Sequence, residues 1–522
     1  MPNVAIFFDN GIDQIPFVLA EQNGVTRIHR NFSRLKLLPD TITLGYHDII
    51  DSLRRLDAPP PNAQQRIETL YALTIGYSKG DAPKRWQFRK QDIIGNRLDQ
   101  KLLSSLSQFD NAKIGWDKFS SILFEAKQTL IQSVVESYNE MASAYIGTNE
   151  TRRAWLAIEH KVDSYFLRIQ YDGIAVNNAK IEKLIKELNF EKYASLLYLD
   201  QYHGIDISSG FLSDEYINGL VLTKVSSTEQ TEELSDLVQV LDESDKRIEA
   251  IRKVRECRID FSNLIKHYTV GESQFVFPHY ETVASSSGRI FISSPGTQYL
   301  KKAKRDIFFP RPGYRLSYFD FRNYEPGIAA GLSADASFLS YYNSGDMYLK
   351  IANEEYGAPE FRKFVKIAVL SSLYGMSESS LQRHFQDTPG FDPEKVTRVL
   401  QSFRRFQDWK KGTTDLAIAN EQTQQVNYTR KFLRERLWKA NTSAVNHVVQ
   451  STGSAILKTC ILRVAMIPGI RILIPMHDAL LCECSLEDYS TNEALVVGAM
   501  EEVFSEFIQG VSAKVVVSDF SE

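Results

Sequence analysis

The sequence predicts a mixed α/β protein of several domains. The chain has 522 residues, which at the usual domain size of about 100–200 residues corresponds to about three or four domains. Short apolar runs typical of buried strands, such as Val4–Phe8, occur beside long stretches of helical periodicity, such as the region from about Glu125 to Lys186. Hydrophobic residues make up 43% and charged residues 24%, a composition that indicates a globular rather than a disordered chain.

The charge balance and the cysteine count narrow the function classes. Lys and Arg total 61 and Asp and Glu total 65, a net charge of −4, so any binding of nucleic acid must depend on local basic faces. Four cysteines are too few and too irregularly spaced for a disulfide framework or a zinc ribbon. No apolar run reaches the roughly 18 residues that span a bilayer, and Asp9, Asn10 and Asp13 lie where a secretory signal has its apolar core. We therefore expect a cytoplasmic protein with no membrane segment.

Three basic clusters are candidates for contact with a phosphate backbone. They lie at Lys246–Arg258, Lys301–Arg315 and Arg430–Lys439. Aromatic residues are interleaved with the second and third clusters, namely Tyr299, Phe308 and Tyr428. This combination favours nucleic-acid binding, although a basic face is also common on ordinary solvated helices.

Two separated segments supply carboxylates. Arg315–Glu325 predicts an aromatic strand that ends at Asp320, with Glu325 five residues later. Far along the chain, an apolar hairpin-like stretch has His477 and Asp478 at its centre. Two carboxylates on adjacent strand ends can hold two divalent cations about 4 Å apart, which stabilise the attacking and leaving oxygens of phosphoryl transfer. Because Mg²⁺ prefers few carboxylates together with water and phosphate oxygens, two Asp residues suffice as anchors.

A third segment, Arg362–Gly375, predicts a helix with a functional stripe. Arg362, Lys366, Leu370 and Tyr374 recur every four residues, so their side chains form one slowly winding row. The two positively charged side chains at one end, Arg362 and Lys366, are suited to binding a triphosphate. The aliphatic and aromatic side chains farther along suit packing against a base.

Taken in this order, the segments resemble the motifs of family A DNA polymerases, and the resemblance runs from about Glu159 to the C-terminus. The motif D-Y-S-x-I-E-x-R is matched by Asp320 and Glu325, with departures at Phe321, Arg322 and Pro326. The motif R-x3-K-x3-[FY]-x3-Y-G is matched at Arg362, Lys366, Tyr374 and Gly375, with Leu370 at the aromatic position. The H-D-E motif is found as His477-Asp478-Ala479, without its third carboxylate. Two DNA-contacting segments of the family are also matched, by Ser287-Gly288-Arg289 with Ser293-Ser294-Pro295 and Gln298, and by Asn446-x3-Gln450 with Lys458.

The resemblance implies a role for each matched residue. Two Mg²⁺ ions, with Mn²⁺ as an alternative, are expected on Asp320, Asp478 and the carbonyl of Phe321. Lys366 is expected to act in catalysis beside these two carboxylates. The residues expected to bind the incoming dNTP are Arg362, Lys366, Leu370, Tyr374 and Glu325, of which Glu325 excludes ribonucleotides. The residues expected to contact the primer–template DNA are Arg289, Gln298, Asn446, Gln450 and His477.

The resemblance also implies the domain order of a right-handed polymerase, with an antiparallel-sheet palm and helical fingers and thumb. The expected parts are an exonuclease-like α/β domain (1–150), the thumb with the start of the palm (151–280), the first part of the palm (281–345), the fingers (346–440) and the second part of the palm (441–522). The family's proofreading exonuclease uses four carboxylates, and here Asp9 and Asp51 remain whereas Gly11 and Gln128 are neutral. We therefore expect a first domain that does not cut DNA.

Other functions on the same fold stay open at this stage. A catalytically impaired DNA-binding scaffold would account for Ala479. A single-subunit RNA polymerase shares the arrangement of the palm, but Glu325 as a sugar filter argues against it. A reverse-transcribing or lesion-bypass enzyme is a further alternative.

Overall fold

A computed structural model of the chain describes residues 2–9, 17–29, 37–38, 40–45, 50, 53–54, 65–76, 90–111, 113, 115–203, 246–268, 274–293, 295–386, 388–425 and 427–521. The chain forms two compact units. The larger unit contains Met1–Gly173, His279–Ser293 and Pro310–Asp519. The smaller unit contains Ile174–Pro278, Ser294–Phe309 and Phe520–Glu522.

The larger unit begins with a mixed five-stranded sheet. Strand β1 (Val4–Phe8) is fully buried, as its apolar sequence predicts, and pairs antiparallel with β2 (Phe17–Gln22), which pairs in turn with β3 (Val25–His29). On its other edge β1 pairs in parallel with β4 (Ile42–Leu44), and β4 pairs with β5 (Gln65–Arg66). The strand order is therefore β3-β2-β1-β4-β5.

Helices cover this sheet through an aromatic core. The rings of Phe8 and Phe17 stack with centroids 4.8 Å apart, and those of Phe109 and Phe119 stack at 4.5 Å. Burying four such rings removes a large apolar area from water, which stabilises the sheet–helix layer. The helices of this region are α1 (Ile67–Ile75), α2 (Lys90–Ile94), α3 (Gln100–Asp110), α4 (Trp116–Ile146) and α5 (Glu150–Asp172).

The smaller unit is built on two long helices that pack against each other. Leu199 of one helix and Ala250 and Ile251 of the other form their buried contact. The second helix carries the first of the predicted basic clusters, and part of that charge is neutralised because Lys253 pairs with Glu191 at 2.9 Å. The elements of this unit are β6 (Ile174–Ala175), α6 (Asn178–His203), α7 (Lys246–Ile265) and β7 (Phe275–Val276), and β6 and β7 pair with each other.

The chain then re-enters the larger unit and becomes mainly helical. Its first strands here are β8 (Tyr280–Glu281), β9 (Phe291–Ile292) and β10 (Tyr314–Phe321). The helices that follow are α8 (Tyr324–Ser333), α9 (Ala336–Asn343), α10 (Met347–Tyr356), α11 (Arg362–Leu373), α12 (Glu378–Phe385), α13 (Pro393–Ser402) and α14 (Arg404–Ala419). A β-hairpin of β11 (Gln422–Gln425) and β12 (Tyr428–Lys431) comes next.

An antiparallel sheet of four strands forms the centre of this region. Helix α15 (Ala440–Val464) leads into β13 (Ile470–Pro475) and β14 (Ala479–Ser485), and helix α16 (Tyr489–Phe507) leads into β15 (Val515–Ser518). The strand order is β13-β14-β10-β15. The sheet therefore brings β10 and β14, which are far apart in sequence, into direct contact, and the mixed α/β class predicted from the sequence is confirmed. In the described ranges no helix is both long and apolar enough to cross a membrane.

Candidate active site

One predicted metal-binding carboxylate lies on a strand of the central sheet, and the other lies in the turn that precedes the neighbouring strand. Asp320 is near the end of β10, where it pairs in register with Ala479 at the start of β14. Asp478 is in the tight turn that joins β13 to β14, and the backbone N–H of Met476 donates to the carbonyl of Ala479 across this turn at 2.8 Å. The backbone N–H of Phe321 donates to the carbonyl of Asp478 at 3.1 Å. The antiparallel register therefore brings the segments of Asp320 and Asp478 together, as the sequence predicts.

The register also shows what the departure at Ala479 means. Directly opposed residues of an antiparallel pair point to the same face of the sheet. A carboxylate at position 479 would therefore face Asp320 across the strand pair, whereas the alanine is fully buried there. The substitution removes one negative charge from the immediate surroundings of Asp320.

Two positively charged side chains act on the buried carboxylate of Asp478. Burial raises the pKa of Asp478, because a carboxylate loses its hydration when it is enclosed, and the nearby charges of Lys366 and Arg289 oppose this shift. Lys366, on helix α11, thus acts on a carboxylate of the central sheet. A further cation at this carboxylate would favour its ionised form in the same way.

Arg289, predicted to contact DNA, forms an ion pair inside the site. Its Nη2 donates to Oε1 of Glu325 at 2.8 Å, with both side chains largely buried. The turn before it depends on Gly288, which has φ of +75°, and a Cβ there would lie 2.2 Å from the ring of Tyr428. Burial raises the pKa of Glu325, Arg289 lowers it and Asp478 raises it. Glu325, the predicted sugar filter, is therefore held by Arg289, a residue that the sequence analysis expects to contact DNA.

A cavity of about 250 Å³ unites residues from five of the matched segments. The sequence-predicted residues that line it are Arg289, Glu325, Tyr374, Gln450, His477 and Asp478. Tyr324, Val449 and Gly453 complete the lining, and the hydroxyl of Tyr324 donates to the carbonyl of Gly453 at 2.7 Å. Motif spacing did not single out these last three residues.

Helix α11 forms where the sequence predicts a helix, and the four residues of the predicted row differ in exposure. Lys366 is exposed, and Arg362, Leu370 and Tyr374 are half-buried. Tyr374 is the C-cap of the helix, and Gly375 follows with φ of +84°, where a Cβ would lie 2.9 Å from the Cα of Thr442. The Tyr-Gly pair is thus explained locally, because only glycine fits the left-handed turn at this close approach.

The structure adds one polar residue near this stripe that sequence reasoning missed. Asp346 precedes helix α10, and its Oδ2 accepts from Nε of Arg362 at 2.7 Å. The signal available in the sequence was an aspartate just before a helical pattern, which predicts a helix cap and not an ion pair.

The residues of helix α15 that match the DNA-contacting motif differ in burial. Asn446 and Gln450 are half-buried, and Oε1 of Gln450 accepts from the hydroxyl of Ser287 at 3.5 Å. Lys458, matched in the same motif, is fully buried and bonded to both oxygens of Glu159 at 2.9 and 2.8 Å. Lys458 therefore acts inside the protein and makes no contact with DNA.

The expectation that aromatic residues among the basic clusters contact nucleic acid is wrong for two of the three. Phe308 and Tyr428 are buried in the cores of their units, whereas Tyr299 is 60% exposed. The aromatic ring of Tyr428 serves packing, since Gly288 is fitted against it. In the second basic cluster, Lys301 pairs with Glu256 at 3.2 Å, which reduces its free charge. Gln298 lies in a short 3₁₀ turn (Thr297–Tyr299) of the smaller unit.

Two of the four positions that the sequence analysis compares with the exonuclease site lie among the described residues. Asp9 follows directly on β1, and Gln128 is exposed on α4, where its Nε2 donates to Oγ1 of Thr26 at 2.8 Å. Gly11 and Asp51, like Ser294 of the DNA motif, lie outside the described residues.

The oxygen donors on the central sheet fit Mg²⁺. Among the described residues no group of three or more His, Cys, Asp and Glu side chains is placed to hold a metal ion. Two carboxylates and a backbone carbonyl are nevertheless the hard ligands that Mg²⁺ takes when water and substrate phosphates supply the rest.

The comparisons with known proteins agree with this site. The model of the family described as DNA polymerase family A matches residues 211–518, more than half of the chain. A DNA polymerase I of Aquifex aeolicus is 25% identical over 262 residues, which cover 46% of this chain and 44% of the relative. The thermostable DNA polymerase I of Thermus caldophilus is 22% identical over 399 residues, which cover 68% of this chain and 47% of the relative. The chain therefore spans less than half the length of these two relatives.

A solved structure shares the fold. The POL domain of Pol1 from M. smegmatis, in complex with DNA primer-template and dNTP, superimposes with a TM-score of 0.76 at 16% identity, covering 100% of this chain and 95% of that chain. At this identity the likeness establishes the fold.

Proposed function

The chain belongs to DNA polymerase family A, and from this premise we propose that it extends the 3′ end of a primer on a DNA template with dNTPs. The observation that carries the proposal is the pairing of β10 with β14, which sets Asp320 opposite Ala479 and so next to the segment of Asp478, a carboxylate on which the charge of Lys366 acts. Phosphoryl transfer depends on such preorganised charges more than on covalent chemistry. Primer–template DNA and dNTPs are the proposed partners, and two Mg²⁺ ions, for which Mn²⁺ can stand in, are the proposed cofactors.

Asp320, Asp478 and the carbonyl of Phe321 would hold the metal ions, which neutralise phosphate charge in this chemistry. Helix α11 supplies the other half of the site. Its first turn contains Arg362 and Lys363 and no acidic residue, and Lys366 follows one turn later. The N-terminus of a helix and cations of this kind attract phosphate, so we assign the triphosphate to this end and the protonation of the leaving pyrophosphate to Lys366.

The cavity supports an assignment of sugar and primer contacts. Glu325 and Tyr374 line it together, in agreement with a carboxylate that fills the space under the 2′ position of the sugar. His477 lies beside Asp478, and burial, with the charge of Arg289, lowers its pKa to about 4. A neutral imidazole at neutral pH contacts the primer terminus by hydrogen bonding and not by charge. Arg289, Asn446 and Gln450 are assigned to the minor groove, and Gln298 to the template.

The domain organisation follows the same premise. We assign the four-stranded antiparallel sheet to the palm, helices α10–α14 to the fingers and the smaller unit to the thumb. The N-terminal sheet and its helices are proposed to be an exonuclease-like domain that no longer cuts. Incubation of a mismatched primer with Mg²⁺ or Mn²⁺ and no dNTP tests this. The primer should keep its length, and shortening that disappears in Asp9→Ala would contradict the assignment.

Primer extension separates the proposed function from its rivals. Wild type and Asp320→Ala are compared on DNA and RNA templates, with dNTPs or rNTPs. The proposal expects extension by the wild type with dNTPs on DNA and none by the variant. Absence of extension by the wild type would favour a DNA-binding scaffold, rNTP use would favour an RNA polymerase, and equal use of RNA templates would favour reverse transcription.

A further inference from the structure

The side chain of Asp346 connects helix α10 to the proposed triphosphate site. Asp346 is the N-cap of this helix, and its Oδ1 accepts from the backbone N–H of Leu349 at 3.1 Å. The other oxygen, Oδ2, accepts from Nε of Arg362 at 2.7 Å. One carboxylate thus satisfies a free N–H of the helix and at the same time fixes the guanidinium of Arg362.

The position of Arg362 explains why it needs an acidic partner. It is the first residue of helix α11, where the partial positive charge of the helix end disfavours a cation. The first turn of α11 contains no acidic residue of its own. Asp346, whose side chain is 21% exposed, supplies a negative charge in direct contact with Arg362 from another helix.

The geometry of the pair leaves Arg362 able to bind a second anion. A guanidinium carries its N–H groups on two edges, and the edge formed by its two terminal nitrogens matches a phosphate bidentately. Asp346 takes the Nε hydrogen, and within the described residues the two terminal nitrogens of Arg362 make no hydrogen bond. The Cζ of Arg362 lies 6.0 Å from the ring centroid of the buried Tyr348. The carboxylate and the ring therefore restrict the rotation of the guanidinium while its outer edge stays open.

We propose that Asp346 is a positioning residue for nucleotide binding, which holds Arg362 with its terminal edge directed to the triphosphate of the incoming dNTP. The proposal rests on the function proposed above. It makes a counterintuitive prediction. Removal of a negative charge near a triphosphate should weaken nucleotide use, because the loss of orientation outweighs the relief of repulsion between the carboxylate and the phosphates.

The test compares Asp346→Asn with Asp392→Asn. Asparagine preserves the helix cap in both variants, and Asp392 caps helix α13 through the N–H of Glu394 with no ion pair to an arginine among the described contacts. The KM for dNTP in primer extension should rise about fivefold in Asp346→Asn, the size of one well-oriented ion pair, with kcat changed less than about twofold. Asp392→Asn should match the wild type. In an Arg362→Ala background, Asp346→Asn should have no further effect on KM.

Two outcomes would overturn the proposal. One is an unchanged or lower KM in Asp346→Asn, and the other is an equal rise in KM with and without Arg362. Calorimetric titration of dGTP with MgCl₂ into the same proteins gives a second readout that does not depend on turnover. If the wild type fails to extend primers, the proposed function is contradicted, whereas weaker dGTP binding by Asp346→Asn would still support the role of Asp346 and equal binding would refute it.

Discussion

Removal of Glu159 should destabilise the larger unit strongly, because this carboxylate is the centre of a buried polar cluster. Both its oxygens accept from Nζ of Lys458, at 2.9 and 2.8 Å, and its Oε1 also accepts from Nε1 of Trp155 at 2.9 Å and from the hydroxyl of Tyr428. Glu159 and Lys458 are completely inaccessible to solvent. Burial raises the pKa of Glu159 and lowers that of Lys458, and their mutual attraction opposes both shifts.

The magnitude follows from the burial of both charges. Glu159→Gln leaves the ammonium of Lys458 enclosed without its hydrogen-bonded counter-charge, which costs about 3–5 kcal/mol. The double variant Glu159→Gln/Lys458→Met removes both charges and should lie within about 1–2 kcal/mol of the wild type, because a buried ion pair replaced by neutral groups of similar volume is often close to neutral.

Urea unfolding followed by tryptophan fluorescence measures both variants, and a double-mutant cycle with Lys458→Met gives the coupling. Independent, additive effects of the two substitutions would refute the account of the cluster. A loss of stability below about 1 kcal/mol in Glu159→Gln would do the same.

Three further outcomes are expected. Lys366→Ala should lower the rate of dNTP addition at saturating dNTP by about 100-fold or more, since a charge-assisted contact to developing phosphate charge is lost. An unchanged single-turnover rate would show that the triphosphate does not bind beside Lys366. Glu325→Ala should admit ribonucleotides, whereas Glu325→Gln, which keeps the bulk, should still exclude them; equal discrimination by both variants in rNTP competition would contradict the sugar-filter assignment. Burial lowers the pKa of His447 to about 3, below its value of about 6.5 in the unfolded state. Between these two pH values the unfolded state binds one more proton than the folded state. The free energy of unfolding therefore falls from pH 6.5 toward pH 3, by up to about 1.4 kcal/mol per pH unit. His447→Gln should flatten that slope in urea titrations at several pH values, and an unchanged slope would show that this imidazole is not the group responsible.

Local patterns were sufficient to predict the elements of the site. The strand before Asp320 and the helix from Arg362 follow from periodicities of two and 3.6 within a short window, and the turn at Asp478 follows from a polar His-Asp pair between two apolar runs. The proximity of the Asp320 and Asp478 segments was expected from motif order and resemblance. The register of the β10–β14 pairing and the resulting position of Ala479 opposite Asp320 required the structure.

Contacts between distant segments could not be predicted from the sequence. Lys458 and Glu159 are separated by 299 positions, and a lysine in a helical motif beside polar residues predicts a solvated or DNA-facing side chain. Tyr428 precedes the third basic cluster in sequence, yet its ring fills the space that Gly288 leaves open. The Asp346–Arg362 pair is likewise formed across two helices. Burial of a charge depends on which partner the fold brings to it, and a single sequence does not encode that partner locally.

The central claim is that Asp320 and Asp478 form one catalytic carboxylate pair. The most direct measurement is the single-turnover rate of primer extension by Asp478→Asn, together with its Kd for primer–template DNA. The control is Asp488→Asn, the same chemical change at an exposed position beyond β14. We predict a loss of at least about 1,000-fold in the rate for Asp478→Asn, with DNA affinity within about twofold of wild type and a control that matches the wild type. Wild-type turnover in Asp478→Asn would contradict the claim.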